Sequence, residues 1–587
     1  MRARPFSAAL ATSAALATGL LAAVAPARAQ ARVEYELRHA PAAPGGAFAE
    51  WRVEIRVQGL ARGAGPLGFR LSDWGSGAAA DWDYLTLLEA DPPPREGTPA
   101  GVFELQPHGG SARLVYRLRL PQLGSGHQRR FGLLPTWSER YAFGYSWSTL
   151  LAVTLDGAAL PGERTIELRA PRGTPIVTGW AGRSAGAQRV RLDMAMGNGP
   201  IAFGEPAHEL RAAGAGLALE VYQFGRGPDV TAGLAEVLLA CAPALGRALG
   251  APPRSPYRAF VTDTQGGGMG SHFGLRIGVM EDAPAGHAES PWLRHHVAHE
   301  LLHDWLGIRL SEADPSLVWF KEGFTEYLAL WQVAAVGLVS RDYFASRLFE
   351  LEEIARASPA AGEVAFGDPA VDWRDGDGPN EILAYTGAPL LALRLDAELR
   401  AAGEPGLLQL VRELLAAGAV YSLADIEGWL AAHGLRERFA RSIAGPELPD
   451  VAESLALAGY REVETPTDLT YFGLRAEGDW PGALVLAVDP EGPAAAAGIL
   501  PGDVLTGWYP ARSEPARVVD FDTEFDFGLC AFRPGVEGTY LGTAREGEDR
   551  KVLVQPALVP GKGVVRRRAT DEPTLDAFFR FVPRAPR

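Results

Sequence analysis

Residues 294–307 read RHHVAHELLHDWLG and contain His299-Glu300-Leu301-Leu302-His303. On an α-helix, residues four apart differ by about 40° around the axis, so His299 and His303 point the same way and can share one ion. Zn²⁺ accepts imidazole nitrogen well, and in a catalytic site it has three protein ligands and one open position. A third ligand is therefore required. Glu322, in LVWFKEGFTEYLALW (317–331), follows His303 by 19 residues. That distance accommodates the end of the first helix near Gly307, a turn through Asp314-Pro315, and a second, antiparallel helix that returns the carboxylate to the histidines.

Glu300 sits about 100° round the helix from His299, outside the ligands' direction but within reach of a water on the ion. It is the candidate general base, able to take a proton from that water and pass it to a leaving amine. Glu326, one turn beyond Glu322, stands where it can fix the tautomer of a ligand histidine or simply face solvent. His295, His296 and His272 read as solvent-facing or supporting residues, with His296, one turn before His299, having the route to the site. A chance His-Glu-x-x-His followed by Glu at one fixed offset is expected in about one in a thousand such chains.

Around this centre the pattern divides the chain. Residues 1–29 carry Arg2 and Arg4, a small-residue apolar run and Ala27-Arg28-Ala29, which together read as a secretory signal peptide; an uncleaved anchor is the alternative. The mature chain is then expected to be secreted or periplasmic, without a stable membrane span. From 30 to 213, short alternating runs such as VEYELRH (33–39), EWRVEIRVQGL (50–60) and RTIELRAP (164–171) predict an antiparallel β-sandwich or saddle. Three-to-four spacing in GLAEVLLACAPALGRAL (233–249) and LLQLVRELLAAG (407–418) predicts a mostly helical domain over 214–460, entered through a strand at 257–262. Strands and turns return over 461–562, and an Arg-rich, loose tail is expected over 563–587.

Lys+Arg of 56 against Asp+Glu of 71 gives a net charge of -15, which argues against nucleic acid or an anionic membrane surface as the main partner. Cys241 and Cys530 lie in apolar surroundings; neither their number nor their spacing suits a zinc knot or a redox pair, and they read as buried thiols, although export would permit a disulfide. Asp522, Glu524 and Asp526 read as a solvated strand face.

The spacing of the two histidines and Glu322 resembles the gluzincin arrangement of the aminopeptidase N family and of the glycyl aminopeptidase family, metallopeptidase family 61. Trp305, the string WFKEGFTEY around Glu322 and AYTGAPLLALRLDAELR (384–400) are more similar to the second. The resemblance implies a multidomain α+β chain: an N-terminal antiparallel β domain, a thermolysin-like, mostly helical catalytic domain holding one Zn²⁺, and a C-terminal PDZ domain. It also implies that Tyr385 stabilises an oxyanion, although the family's Lys-Gly after this tyrosine is replaced by Gly387-Ala388.

Upstream, VTDTQGGGMGSHFGLRIGVM (261–280) resembles the strand and glycine loop along which such enzymes lay substrate backbone. Gly267, Gly268, Met269 and Gly270 are the candidate substrate-binding residues, and glycines suit a close approach. Relatives carry an acid here that grips a free α-amine; Gly268-Met269-Gly270-Ser271 has none, so peptide-bond hydrolysis is expected without a demand for a free N-terminus. Phe472, Gly473 and Leu474 resemble the carboxylate-binding loop of PDZ domains, and Pro501-Gly502-Asp503-Val504-Leu505 a strand that follows it. The expected partners are a peptide or protein substrate and a C-terminal peptide in that groove. Two functions fit: a zinc metallopeptidase, and a peptide-binding or chaperone-like protein on the same scaffold with turnover lost.

Overall fold

The computed structural model describes residues 31–43, 46, 48–70, 84–95, 102–122, 135–192, 199–263, 268–271, 273–279, 286–358, 360–371, 373, 379–460, 468–471, 474–477, 483–488, 490, 492–510, 539–545, 548–554, 557–560 and 572–580. The leader, Gly267, His272, Phe472, Gly473, Asp522, Glu524, Asp526 and Cys530 lie outside the described residues. The chain divides into two compact units: Met1–Leu120, Ser146–Ile176 and Arg183–Gly197 in the first, and Pro121–Tyr145, Val177–Gly182 and Asn198–Arg587 in the second.

The first unit is built on a six-stranded sheet, in the order Ala187–Leu192, Gly162–Arg169, Ala31–Ala40, Phe48–Gln58, Ala112–Pro121, Leu85–Asp91. Alternation decides its faces. Val33, Tyr35 and Leu37 pair in register with Val57, Ile55 and Val53 on the buried face. Glu54 faces outward between Arg56, at 2.8 Å, and Arg113, at 2.7 Å. Contrary to the antiparallel expectation, Ala31–Ala40 and Gly162–Arg169 run parallel, because the intervening strands carry the chain away before it returns.

The second unit centres on a five-stranded sheet of β1 (His208–Gly214), β2 (Leu217–Gln223), β3 (Tyr257–Thr262), β4 (Gly268–Ser271) and β5 (Gly274–Gly278), ordered β1-β2-β3-β5-β4. The parallel pair β2–β3 needs a crossover, and α1 (Thr231–Leu249) supplies it. This helix is long and apolar enough to cross a bilayer by length and composition, but Leu234, Leu238, Cys241 and Leu245 are buried in the core. Burial pushes the Cys241 thiol up to about 12. Leu219, Val221, Ala259, Val261, Leu275 and Ile277 form the sheet face that packs with the helices.

Tyr222 and Phe260 form the other face, on which the strand Tyr141–Tyr145 rests through the Phe143–Phe260 ring contact at 6.2 Å. That packing explains why the units do not part at residue 213: Tyr141–Tyr145 and its partner Pro200–Gly204 belong by contact to the second unit.

The helices that matter for the site are α2 (Pro291–Leu302), α3 (Val318–Ala335), α4 (Arg341–Ala357), α5 (Pro379–Thr386) and α6 (Ala388–Ala401). Further on, five strands from Leu474–Glu477 to Glu548–Val554 form an antiparallel sheet with a one-turn helix, Pro493–Ala496, around Val485, Ala494, Ile499, Leu505 and Val554. Asp503 of this module is buried and held by Arg545 at 2.6 and 2.7 Å.

The loose tail expected from composition is corrected for part of its length. Glu572–Phe578 is helical, and Leu575, Phe578 and Phe579 enter the core of the helical domain. The Trp331 indole N–H donates to the Phe578 carbonyl at 3.1 Å, and Arg341 pairs with Asp576 at 2.7 Å. The arginines that suggested looseness precede this apolar stretch, and the aromatic pair after them decides the docking.

Candidate metal centre

Sequence sets each wall of the site. α2 starts at a Ser290 cap, whose hydroxyl accepts the Leu293 N–H at 3.1 Å, with Pro291 at the first helical position. Leu293, Val297, Ala298, Leu301 and Leu302 turn to the core. His299 and Glu300 are buried as well. α3 is entered through Asp314, whose side chain accepts the Ser316 N–H at 2.8 Å, and a 3-10 turn at Pro315–Leu317. Glu322 and Glu326 are one helical turn apart on α3; Glu326 reaches His299 of α2, and Glu322 reaches His303, which caps that helix.

His299, His303 and Glu322 present ligand atoms that all lie within 4.8 Å of one another. His299 Nε2 is 3.1 Å from His303 Nε2; Glu322 Oε2 is 3.2 Å from the latter and 3.7 Å from the former. A tetrahedral zinc with bonds of about 2.0–2.2 Å separates its ligand atoms by about 3.3 Å, which these distances bracket.

The ring nitrogens are committed in the sense a cation requires. His299 Nδ1 donates to Glu326 Oε2 at 2.8 Å and His303 Nδ1 donates to the Leu306 carbonyl at 3.0 Å, so both Nε2 lone pairs turn toward Glu322. Lone pairs this close repel unless a proton or a metal ion lies between them. Burial disfavours charge on His299, but the carboxylates of Glu322, Glu326 and Glu300 around it outweigh this and raise its pKa to about 10. Burial likewise pushes the Glu322 carboxyl up, yet the Lys321 ammonium and the two neighbouring histidines hold it well below the usual carboxylate range. The surroundings therefore stabilise positive charge at this point, and the residues fit a divalent metal.

Support continues outward. Glu326 is held well below the usual carboxylate range: burial opposes this, but His295, the His299 bond and Arg347 prevail. His295 Nε2 donates to the Glu326 carbonyl at 3.2 Å and lies 3.4 Å from Oε2. This corrects the expectation that His296 has the route to the site. His295, four residues before His299, is buried against Glu326, whereas His296 stacks on Trp292 with ring centroids 5.0 Å apart.

Glu300 lies against β4. A Cβ placed on Gly268 would meet Glu300 Cγ at 2.5 Å and Oε1 at 2.6 Å, and one on Gly270 would meet the Glu300 carbonyl at 2.5 Å and His303 Cβ at 2.7 Å. Only glycine lets the strand lie this close to the metal helix. β4 is the last strand in the order of its sheet, so it borders the site with one edge, and Met269 between the glycines is buried.

Tyr385 arrives by a second close approach. A Cβ on Gly323 would meet Ala388 Cβ at 2.4 Å and the Ala384 carbonyl at 2.9 Å, so the absence of a side chain seats the α5–α6 junction on α3. The Tyr385 ring lies 6.2 Å from that of His299. Burial and the charges of Glu322, Glu381 and Glu300 push its pKa well up, so it remains a neutral donor at physiological pH.

Leu474, the one described residue of the C-terminal triplet, starts the edge strand Leu474–Glu477 of the second five-stranded sheet. Sequence reasoning left His295 as a solvent-facing or supporting residue and assigned no role to Lys321, Gly323 or Glu312. Lys321 alone carried a signal, being one of three lysines among 56 basic residues.

No protein-family model and no curated protein matches the chain. The fold is similar to that of an aminopeptidase N family protein from Idiomarina loihiensis, with 15% identity and a TM-score of 0.68 over 93% of this chain and 100% of that one. A yeast LTA4 hydrolase in complex with bestatin gives 13% and 0.48, over 73% of this chain and 71% of that one. An M1 zinc metallopeptidase from Deinococcus radiodurans bound to a Tyr-Ser-Ala substrate gives 13% and 0.47, over 72% and 94%. The first of these fixes the fold nearly end to end: a multidomain α+β chain with N-terminal β sheets followed by a helical region.

Proposed function

We propose that the protein is a zinc-dependent metallopeptidase that hydrolyses peptide bonds. The observation that carries this reading is the convergence of His299, His303 and Glu322 within 4.8 Å, with the Glu300 carboxylate beside them against a glycine strand. A bound Zn²⁺ would supply Lewis acidity, polarising a carbonyl and lowering the pKa of a water to about 7. Glu300 takes the proton lost from the attacking water and returns it to the departing amine. Tyr385, a partly buried neutral phenol, donates to the oxygen on which negative charge develops. Glu326 keeps His299 in the tautomer that leaves Nε2 available. The fold shared with an aminopeptidase N family protein supports the same reaction class.

Within that class, the tyrosine segment and the string around Glu322 favour the glycyl aminopeptidase family, and the C-terminal sheet with its short helix is consistent with a PDZ domain. Its edge strand at Leu474–Glu477 suits addition of an extended peptide. The leader supports action outside the cytoplasm.

The test is mass-spectrometric profiling of a peptide library with and without a chelator, using free and acetylated amino ends. Cleavage that chelator abolishes is expected, with little loss upon acetylation, because Gly268–Ser271 offers no carboxylate to grip an amine. A strict requirement for the free amine contradicts that specificity. Zinc content with no cleavage of any peptide moves the assignment to a binding protein.

A further inference from the structure

Lys321 precedes a proposed ligand in sequence and touches it in space. Its side chain is buried, with Nζ 3.1 Å from Glu322 Oε1 and 3.3 Å from Glu312 Oε1. Glu312 is anchored in turn: Ser311–Glu312 forms a short parallel ladder with Val420–Tyr421, a part of the chain far away in sequence. The aliphatic stem of Lys321 passes Gly307, where a Cβ would lie 3.4 Å from Lys321 Cδ and 3.2 Å from His303 Nδ1. The ammonium therefore stands behind Glu322 while its stem lines the turn that follows the second histidine.

We infer that Lys321 is a positioning residue for the metal centre: by binding Oε1 of Glu322 it leaves Oε2 as the single ligand oxygen and holds it toward the two histidines. This rests on the metallopeptidase reading and extends it. A carboxylate on a helix can otherwise offer both oxygens or withdraw, and either alternative changes coordination number. Oε2, the oxygen away from Lys321, is the one 3.2 and 3.7 Å from the histidine nitrogens.

The residue type fits the task. An ammonium is a compact point charge with three donors, enough for two carboxylates in a tight space, whereas a planar guanidinium needs a wider seat. In a chain whose basic residues are almost all arginine, lysine occupies this position. A buried ammonium is costly unless paired, and here Glu312 and Glu322 supply the pairing.

The experiment compares wild type, Glu312→Gln and the double variant Lys321→Met/Glu312→Gln. The double is read against Glu312→Gln alone, so that the loss of the Glu312 charge cancels. Zinc affinity is measured by chelator competition, and the visible bands of the cobalt(II)-substituted protein report ligand geometry. The double is expected to bind zinc about 10- to 100-fold more weakly than Glu312→Gln, with shifted cobalt bands. Lys321→Gln, which keeps one N–H toward Glu322, is expected to fall between and serves as the reading if the double fails to fold. Unchanged cobalt bands with zinc affinity within twofold overturn the role of Lys321 while the metal centre stands. A wild type that takes up no zinc removes the metallopeptidase reading itself.

Discussion

Glu300→Gln is expected to retain one equivalent of zinc and to lose about 10³-fold in kcat for peptide hydrolysis. Glutamine preserves shape and one acceptor oxygen but cannot take a proton. The ligands are untouched: His299, His303 and Glu322 converge without any contribution from Glu300, which is buried beside them against Gly268. KM should move little, because the amide fills the same space. Zinc analysis and steady-state kinetics on the same preparation decide the matter. A loss below tenfold assigns the base elsewhere, and a loss of zinc makes Glu300 part of the coordination.

The second large effect is on stability. Phe578→Ala is expected to cost about 3–5 kcal/mol, the range for truncating a buried aromatic. Phe578 is 2% exposed, its ring centroid lies 6.1 Å from Phe344 and 5.1 Å from Phe579, and the Arg400 guanidinium sits 5.4 Å from its centroid. The adjoining chain is tied by the Trp331 and Arg341 contacts, so α3 and α4 both lose a neighbour when this segment loosens. Denaturant unfolding measures the effect. A change under about 1 kcal/mol would mean that the C-terminal segment only rests on the domain.

What sequence could and could not reveal follows from the range of the forces involved. The His-Glu-x-x-His pair was legible because four residues on a helix fix a direction, and Glu322 because a turn and an antiparallel return fix a reach. Strand Tyr257–Thr262 was legible from its apolar run. By contrast, the pairing of His295 with Glu326 depends on how α2 and α3 rotate against each other, and spacing within α2 alone favoured His296. Gly323 looked like an ordinary helical glycine, since nothing local announces that Ala384 and Ala388 pack upon it. The grouping of Tyr141–Tyr145 with the second unit is a contact between distant segments, invisible to a reading that places boundaries along the chain. Composition misjudged Glu572–Phe578 because seven residues are too few to offset the arginines before them.

X-ray absorption at the zinc edge of the purified protein examines the three-ligand site most directly. The expected result is one zinc per chain bound by two imidazole nitrogens and carboxylate oxygen at about 2.0–2.2 Å, with the signal lost in His303→Ala. Protein free of stoichiometric metal after zinc loading, or a spectrum that His303→Ala leaves unaltered, contradicts it.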